Sequence, residues 1–335
     1  MSPTQLPAWL SASWQRTYIK RATPDGPLGE PDSSVEVRYL QTLAGGHAFD
    51  LRIQSGFTFP EDVKSVTELT LEQLQMLAAP GAIEGFAGVT TSEPAAGDAW
   101  LFRWHAAFCF PPQLSSSDEP QLVIDQIASS QHETSDIGRA VPRMPSVRSK
   151  PVVEWHEYAP DSSYEEQWQI LNGYFKQGAH LAAMRPAQSG TGACWLAILG
   201  NTFAFVRDID RDSLPAAARD RPLDEVLADD TIPLAIKQLV LDCEFSFGFF
   251  GQGGGVGGVV ERSSLPWRRG VALAALVGTM ASGWQPVRAS DATMLDKALA
   301  AITADHEKAC EALREAEANG QEGVVEVLRA RGAVV

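Results

Sequence analysis

Cysteine is scarce in this chain. The 335 residues contain four, Cys109, Cys194, Cys243 and Cys310, all far apart. That spacing excludes a C-x-x-C zinc or redox motif and a disulfide framework, and it suits a reducing interior. Basic residues are outnumbered, with 27 Lys and Arg against 42 Asp and Glu, for a net charge of −15. General attraction to nucleic acid phosphates or to anionic lipid is therefore disfavoured, and no nucleic-acid or membrane partner is expected. Long hydrophobic runs are missing too. The most apolar stretch, Val271–Trp284, is shorter than the roughly 20 residues a bilayer crossing takes. The first residues, MSPTQLPAWLSASW, lack a basic region followed by an apolar run, so no secretory signal is expected and the chain reads as cytoplasmic. No H-x-H or H-E-x-x-H cluster, G-x-S-x-G elbow or Walker-type lysine occurs, so neither a metal nor a cofactor is expected.

What is present is the composition of a folded domain, with 44% hydrophobic and 21% charged residues. The stretch Asp98–Phe110 stands out. At period two, Trp100, Phe102, Trp104, Phe108 and Phe110 fall on one face, and Leu101, Arg103, His105 and Cys109 on the other. Aromatics ahead of the Pro111-Pro112 stop favour a strand buried on both sides, as in a barrel or sandwich. An aromatic barrel wall of this kind can line a small-molecule site, so Trp100, Phe102, Trp104 and Phe108 are candidate ligand contacts. The same stripe is also what plain core looks like.

Around it, alternation predicts strands over Val35–Thr42 and His47–Ile53. In the second, His47, Phe49, Leu51 and Ile53 oppose Asp50 and Arg52, which reads as one apolar and one wet face. Thr70 with Gln73 is a capping-box pattern, and Leu71, Leu74 and Leu77 follow helical spacing up to Pro80-Gly81. A Pro- and Arg-containing linker at Ala140–Pro151 suggests a boundary. Beyond it come strands at Val152–Tyr158, Tyr164–Ile170, Ala179–Met184, Ala193–Leu199, Asn201–Asp208 and Leu239–Phe247, and a short helix at Leu223–Leu227. The expectation is mainly β: a first barrel over residues 1–145, a second over 146–288, and a helical tail over 289–335.

Two strand-opening tryptophans, in Ser13-Trp14 and Glu166-Gln167-Trp168, start the two β-units. Asp136-Ile137-Gly138 is followed by Val153-Glu154 and by Tyr164-Glu165-Glu166-Gln167-Trp168. That succession, over roughly Trp14–Arg269, resembles the fungal HRI-one proteins. The resemblance implies two lipocalin-like antiparallel barrels in tandem. It implies no catalytic chemistry, since that family is described through kinase partners, and it carries no ligand-binding residue. The tail is different: Leu313, Ala316, Asn319-Gly320, Val324-Val325 and Leu328 resemble the helical part of an ankyrin repeat. One repeat cannot bury its own apolar face, so the tail is expected to dock on the barrels or on a protein partner.

Gly253-x-Gly255-x-x-Gly258 fits the dinucleotide fingerprint in form, but Val259-Val260-Glu261 after it reads as strand, where a nucleotide site needs a helix. Asp242 and Glu244 lie two apart on one strand face, close enough to share a proton. With His105 and Arg103 they are the candidate acid-base residues. Their face opposes the large apolar side chains, so it reads as solvated. Two functions follow. One is a non-catalytic module binding a small apolar ligand or a protein partner. The other is an isomerase, lyase or hydrolase using a barrel pocket on an apolar metabolite.

Overall fold

The computed structural model describes residues 6–24, 26–42, 46–60, 62–114, 120, 136–143, 151–171, 180–188, 190–250, 258–278, 283–286 and 292–319. Eight strands form a closed antiparallel barrel in simple meander order: β1 (Ser13–Arg21), β2 (Val35–Gln41), β3 (His47–Gln54), β4 (Ile83–Pro94), β5 (Trp100–Phe110), β6 (Ile137–Pro142), β7 (Glu154–Tyr158) and β8 (Tyr164–Ile170). β8 closes on β1, with Trp14 opposite Ile170 and Arg16 opposite Trp168. Closure removes the free edges that an open sheet would present. The barrel thus draws in β7 and β8, which lie beyond the boundary expected near residue 145.

The remaining strands form an open six-stranded sheet instead of a second barrel. Its strands are β9 (His180–Arg185), β10 (Cys194–Leu199), β11 (Thr202–Arg207), β12 (Glu244–Phe250), β13 (Gly258–Ser263) and β14 (Gln285–Pro286), in the order β13-β12-β11-β10-β9-β14. Gly200-Asn201 makes the two-residue turn between β10 and β11, with Gly200 at φ +61°. Among the described residues the α-helices are α1 (Leu71–Leu77), α2 (Leu223–Ala228), α3 (Leu234–Leu239), α4 (Leu273–Gly278) and α5 (Ala292–Ala318). At α1 the capping box forms as expected: Gln73 N–H donates to Thr70 Oγ1 at 3.2 Å, and Thr70 N–H donates to Gln73 Oε1 at 2.8 Å.

Both faces of the sheet are packed against other layers, and this explains where the sequence reading went astray. One side, with Trp195, Ala197, Val206, Phe245 and Phe247, packs on the outer wall of the barrel against Leu40, Phe49, Leu51, Ile53, Phe108 and Phe110. The other, with Leu196, Ile198, Phe203 and Phe205, is covered by α4 and by Leu295 and Leu299 of α5. The layers are therefore barrel, sheet and helices, each apolar side chain so buried contributing about 1.5–3 kcal/mol. In β3 the apolar face is the outer one, sealed by the sheet, and Asp50 points into the barrel with Arg52. The face read as wet is the barrel interior.

β5 changes sides along its length. Gly88 opposes Ala106 and Ala87 opposes Phe108, so Ala107 is an extra residue, a β-bulge. Before it, Phe102 and Trp104 belong to the interior cluster; after it, Phe108 and Phe110 belong to the core shared with the second sheet. Gly88 is required there, because a Cβ would stand 1.9 Å from the His105 carbonyl oxygen.

Other expectations are revised. Leu239 ends α3 and β12 begins only at Glu244, so Leu239, Leu241 and Cys243 are not a strand face. Among the described residues the tail contributes one long helix, α5, and Val324, Val325 and Leu328 lie outside the described residues, as do Gly253 and Gly255.

Candidate functional site

The expected catalytic residues fall into two separate sets. Arg103 and His105 sit on the outer face of β5: Arg103 pairs with Glu93 at 2.9 Å in an exposed position, and the buried His105 Nε2 meets Thr91 Oγ1 at 3.1 Å. Asp242 and Glu244 are both near enough to Arg207 to act on its charge, but each has its own partner. Asp242 takes Arg207 Nη2 at 2.7 Å. Glu244 accepts from Ser246 Oγ at 2.6 Å and lies 3.0 Å from Arg268 Nε. Glu244 is 0% exposed, which corrects the solvated reading of that face. Of the expected ligand wall, Phe102 and Trp104 are buried inside the barrel, Trp100 is half-buried, and Phe108 packs outside.

A different set of polar groups meets inside the barrel. Trp14 and Arg16, Trp155 and Glu157, and Trp168 and Glu166 are each a tryptophan and a charged residue two apart on one strand, so their side chains share the inward face. Arg16 is ion-paired with Glu166. Arg52 forks onto Asp50 with Nε to Oδ1 at 3.0 Å and Nη2 to Oδ2 at 3.1 Å, and this carboxylate holds the guanidinium pKa above its ordinary value. Tyr164 donates to Glu157 Oε1 at 2.7 Å. A neutral chain runs beside these charges: Trp104 Nε1 donates to Tyr39 Oη at 3.2 Å, Tyr39 donates to Gln41, and Thr90 donates to the same Gln41 oxygen at 2.8 Å.

Four carboxyls, Asp50, Asp136, Glu157 and Glu166, thus share this end with two guanidiniums. Glu157 lies directly opposite Glu166 across β7 and β8. Burial, then repulsion from Glu166, pushes the Glu157 pKa well above the usual carboxylate range and favours its protonated form. Asp136, at the exposed mouth, is raised by lost hydration and then by Asp50 and Glu166, against the pull of Arg52. Tyr164 is raised by burial and by Glu157, which keeps its phenol a donor.

These groups enclose a cavity of about 20 Å³ lined by Tyr39, Asp50, Arg52, Phe86, Trp104, Asp136, Trp155, Glu157 and Trp168. That volume admits about one oxygen atom with its hydrogens. Trp155 and Trp168 stack with centroids 5.4 Å apart and planes 5° from parallel. Their indole N–H groups are buried without a hydrogen-bond partner, each a cost of about 1–3 kcal/mol. Elsewhere the interior is filled: Trp9, from the turn before β1, packs on Trp14, Phe102 and Trp155.

A larger groove of about 870 Å³ runs between the end of α1, Pro111-Pro112 and the start of α2. Arg221 there pairs with Asp229 at 2.9 Å. The barrel cavity, not this groove, carries the concentrated buried charge and the orphaned donors. Among the described residues, no group of three or more His, Cys, Asp or Glu is placed to hold a metal ion, and no helix is long and apolar enough to cross a membrane.

The signal for this site was in the sequence as the tryptophan and charge pairs at i and i+2. In Tyr164–Ile170, Glu166 lies two before Trp168 and so shares its inward face.

No family model and no curated protein matches the chain. Among solved structures, it is similar to an uncharacterized protein from Saccharomyces cerevisiae, with 11% sequence identity and a TM-score of 0.38 over 75% of this chain and 84% of that one. A likeness of that size carries no functional argument. The barrel stands on its own strand pairing, and the resemblance to the fungal HRI-one proteins rests on its short motifs alone.

Proposed function

We propose that this chain is a non-catalytic binding module whose barrel receives the polar head group of a small molecule at its charged end. The observation that supports this most is one small cavity lined by Trp155 and Trp168, whose buried indole N–H groups have no hydrogen-bond partner. Native interiors rarely keep such donors without an acceptor to meet them. The mouth is reachable, since Arg52 is half-buried and Asp136 exposed. The interior does not suit a large apolar ligand, because its own aromatic side chains fill it. Of the residues expected to line a ligand wall, Trp104 lines the cavity. A ligand present at about 100 times its Kd adds about 2.7 kcal/mol to folding stability. Melting of the full chain across a panel of small polar compounds should show such gains, and they should be lost in Trp155→Phe. A panel with no stabilising member, or gains unchanged in the variant, would refute the reading.

One observation favours an enzyme as the second reading. Glu157, its pKa raised by burial and its carboxyl bonded to Tyr164, faces Glu166 held by Arg16, and carboxyls with environments set apart in this way are how acid and base roles are divided. On that reading Glu157 is the general acid, and Glu157→Gln should abolish turnover while leaving ligand binding in place.

A further inference from the structure

The groove between the end of α1 and the start of α2 shares no described residue with the barrel cavity, and its walls differ in kind. Much of its lining is apolar, with Pro80, Pro111, Pro112, Leu223 and Leu227 among it. Proline holds its own φ near −65°, so these walls are set before anything binds. The volume of about 870 Å³ lies within the range of about 300–1,000 Å³ usual for binding clefts. Around this apolar lining the charge is of one sign. From Asp220 to Asp230 the chain carries Asp220, Asp224, Glu225, Asp229 and Asp230 against Arg221 alone. Arg221 is itself paired, with Asp229 at 2.9 Å and Glu225 at 3.9 Å. On the other wall α1 adds Glu72 and no base, and residues 111–114 carry no charge. Glu72 and Asp224 are exposed. Such a surface attracts a positively charged partner. A second copy would bring the same acids on a chain of net charge −15, so like charge opposes it.

We propose that this groove docks a short basic segment of another protein, whose apolar side chains enter the groove while its Lys or Arg side chains face Asp224 and the acids beside it. An extended peptide suits the remaining lining. Its backbone N–H and C=O groups need partners, and Gln75 and Gln113, both exposed and both lining the groove, carry amides that donate and accept. The surface is separate from the barrel cavity, so the partner and any small ligand bind independently of one another's site.

The test titrates the full chain into short labelled peptides with blocked ends: leucine alternating with lysine, serine with lysine, and leucine with glutamate. Fluorescence anisotropy should show the leucine–lysine peptide bound at about micromolar Kd, and the other two at least about tenfold more weakly. Ala79→Trp, which fills the groove, should weaken that binding about tenfold, and Asp224→Lys, which reverses a rim charge, about fivefold. Glu30→Lys changes the net charge equally but lies on the exposed β1–β2 connection, and it should leave Kd within about twofold. Should Ala79→Trp fail to fold, the contrast between Asp224→Lys and Glu30→Lys still decides the matter. Equal weakening by these two would reduce the effect to general attraction by net charge and overturn the proposal. Binding of the serine–lysine or leucine–glutamate peptide as tight as the first would overturn it too, as would no binding of any peptide. Self-association of the chain that Ala79→Trp abolishes would put a second copy in the groove in place of the basic segment.

Discussion

Glu157 and Glu166 face each other across two strands, yet they should answer oppositely when each is made neutral. Burial and Glu166 favour the protonated form of Glu157, so Glu157→Gln should change little, with an expected stability loss under about 1 kcal/mol at neutral pH. Glu166→Gln leaves the buried Arg16 guanidinium without its partner, a loss of about 3–5 kcal/mol. Urea denaturation of both variants measures the contrast, and equal losses would show the assignment of the proton to be wrong. The pH dependence follows from the same groups. The folded pKa of Glu157 is raised, so its contribution is complete below its unfolded value and is lost as pH rises through the folded one. His47 works the other way. Its Nδ1 accepts from Trp195 Nε1 at 3.2 Å, and burial lowers its pKa from 6.5 to about 4. The contribution of His47 is present above pH 6.5 and is lost as pH falls toward about 4, amounting to about 3 kcal/mol. His47→Phe should flatten stability against pH across that window, and an unchanged slope would exclude His47 as its source. Trp104→Ala should cost about 3–5 kcal/mol, since the ring is buried and hydrogen-bonded to Tyr39. A loss below about 1 kcal/mol would mean the ring is not part of the interior.

At the scale of elements, β5 shows what pattern reading sees and what it misses. Its aromatic alternation marked a strand buried on both sides; Trp104, His105, Ala107, Phe108 and Phe110 are buried, while Trp100, Leu101 and Arg103 are only partly so. The alternation continues unbroken from Trp100 to Phe110, and nothing in it announces the bulge that sends Phe102 and Trp104 inward and Phe108 and Phe110 outward. The bulge depends on Gly88, so Gly88→Ala should separate the β4–β5 pair locally and cost about 1–3 kcal/mol. A stability within about 0.5 kcal/mol of the parent would place the bulge elsewhere. In β3 the period was right and the meaning of its two faces was reversed, because which face is wet depends on the second sheet, which begins more than a hundred residues later. The capping box of α1 was legible for the opposite reason: its partners lie within a few residues.

For the whole molecule, the strand pattern predicted two β-units but not how they divide. β7 and β8 close the barrel because β8 finds β1, a pairing across about 150 residues that no local signal encodes. The six strands left over lie flat between the barrel wall and α4 and α5. Truncation before α5 should expose Leu196, Ile198, Phe203 and Phe205 and lower hydrogen-exchange protection in β9–β11, while β1–β8 keep theirs. Loss of protection throughout would make the tail integral to the barrel. The central claim is that the barrel encloses a polar site of four carboxyls and two guanidiniums in which burial and Glu166 favour the protonated form of Glu157. Infrared spectroscopy of the carboxyl C=O stretch at neutral pH tests it most directly. A protonated-carboxyl band in the parent chain that disappears in Glu157→Gln and persists in Asp242→Asn is the predicted result. A parent chain with no such band, or a band that survives Glu157→Gln, would contradict it.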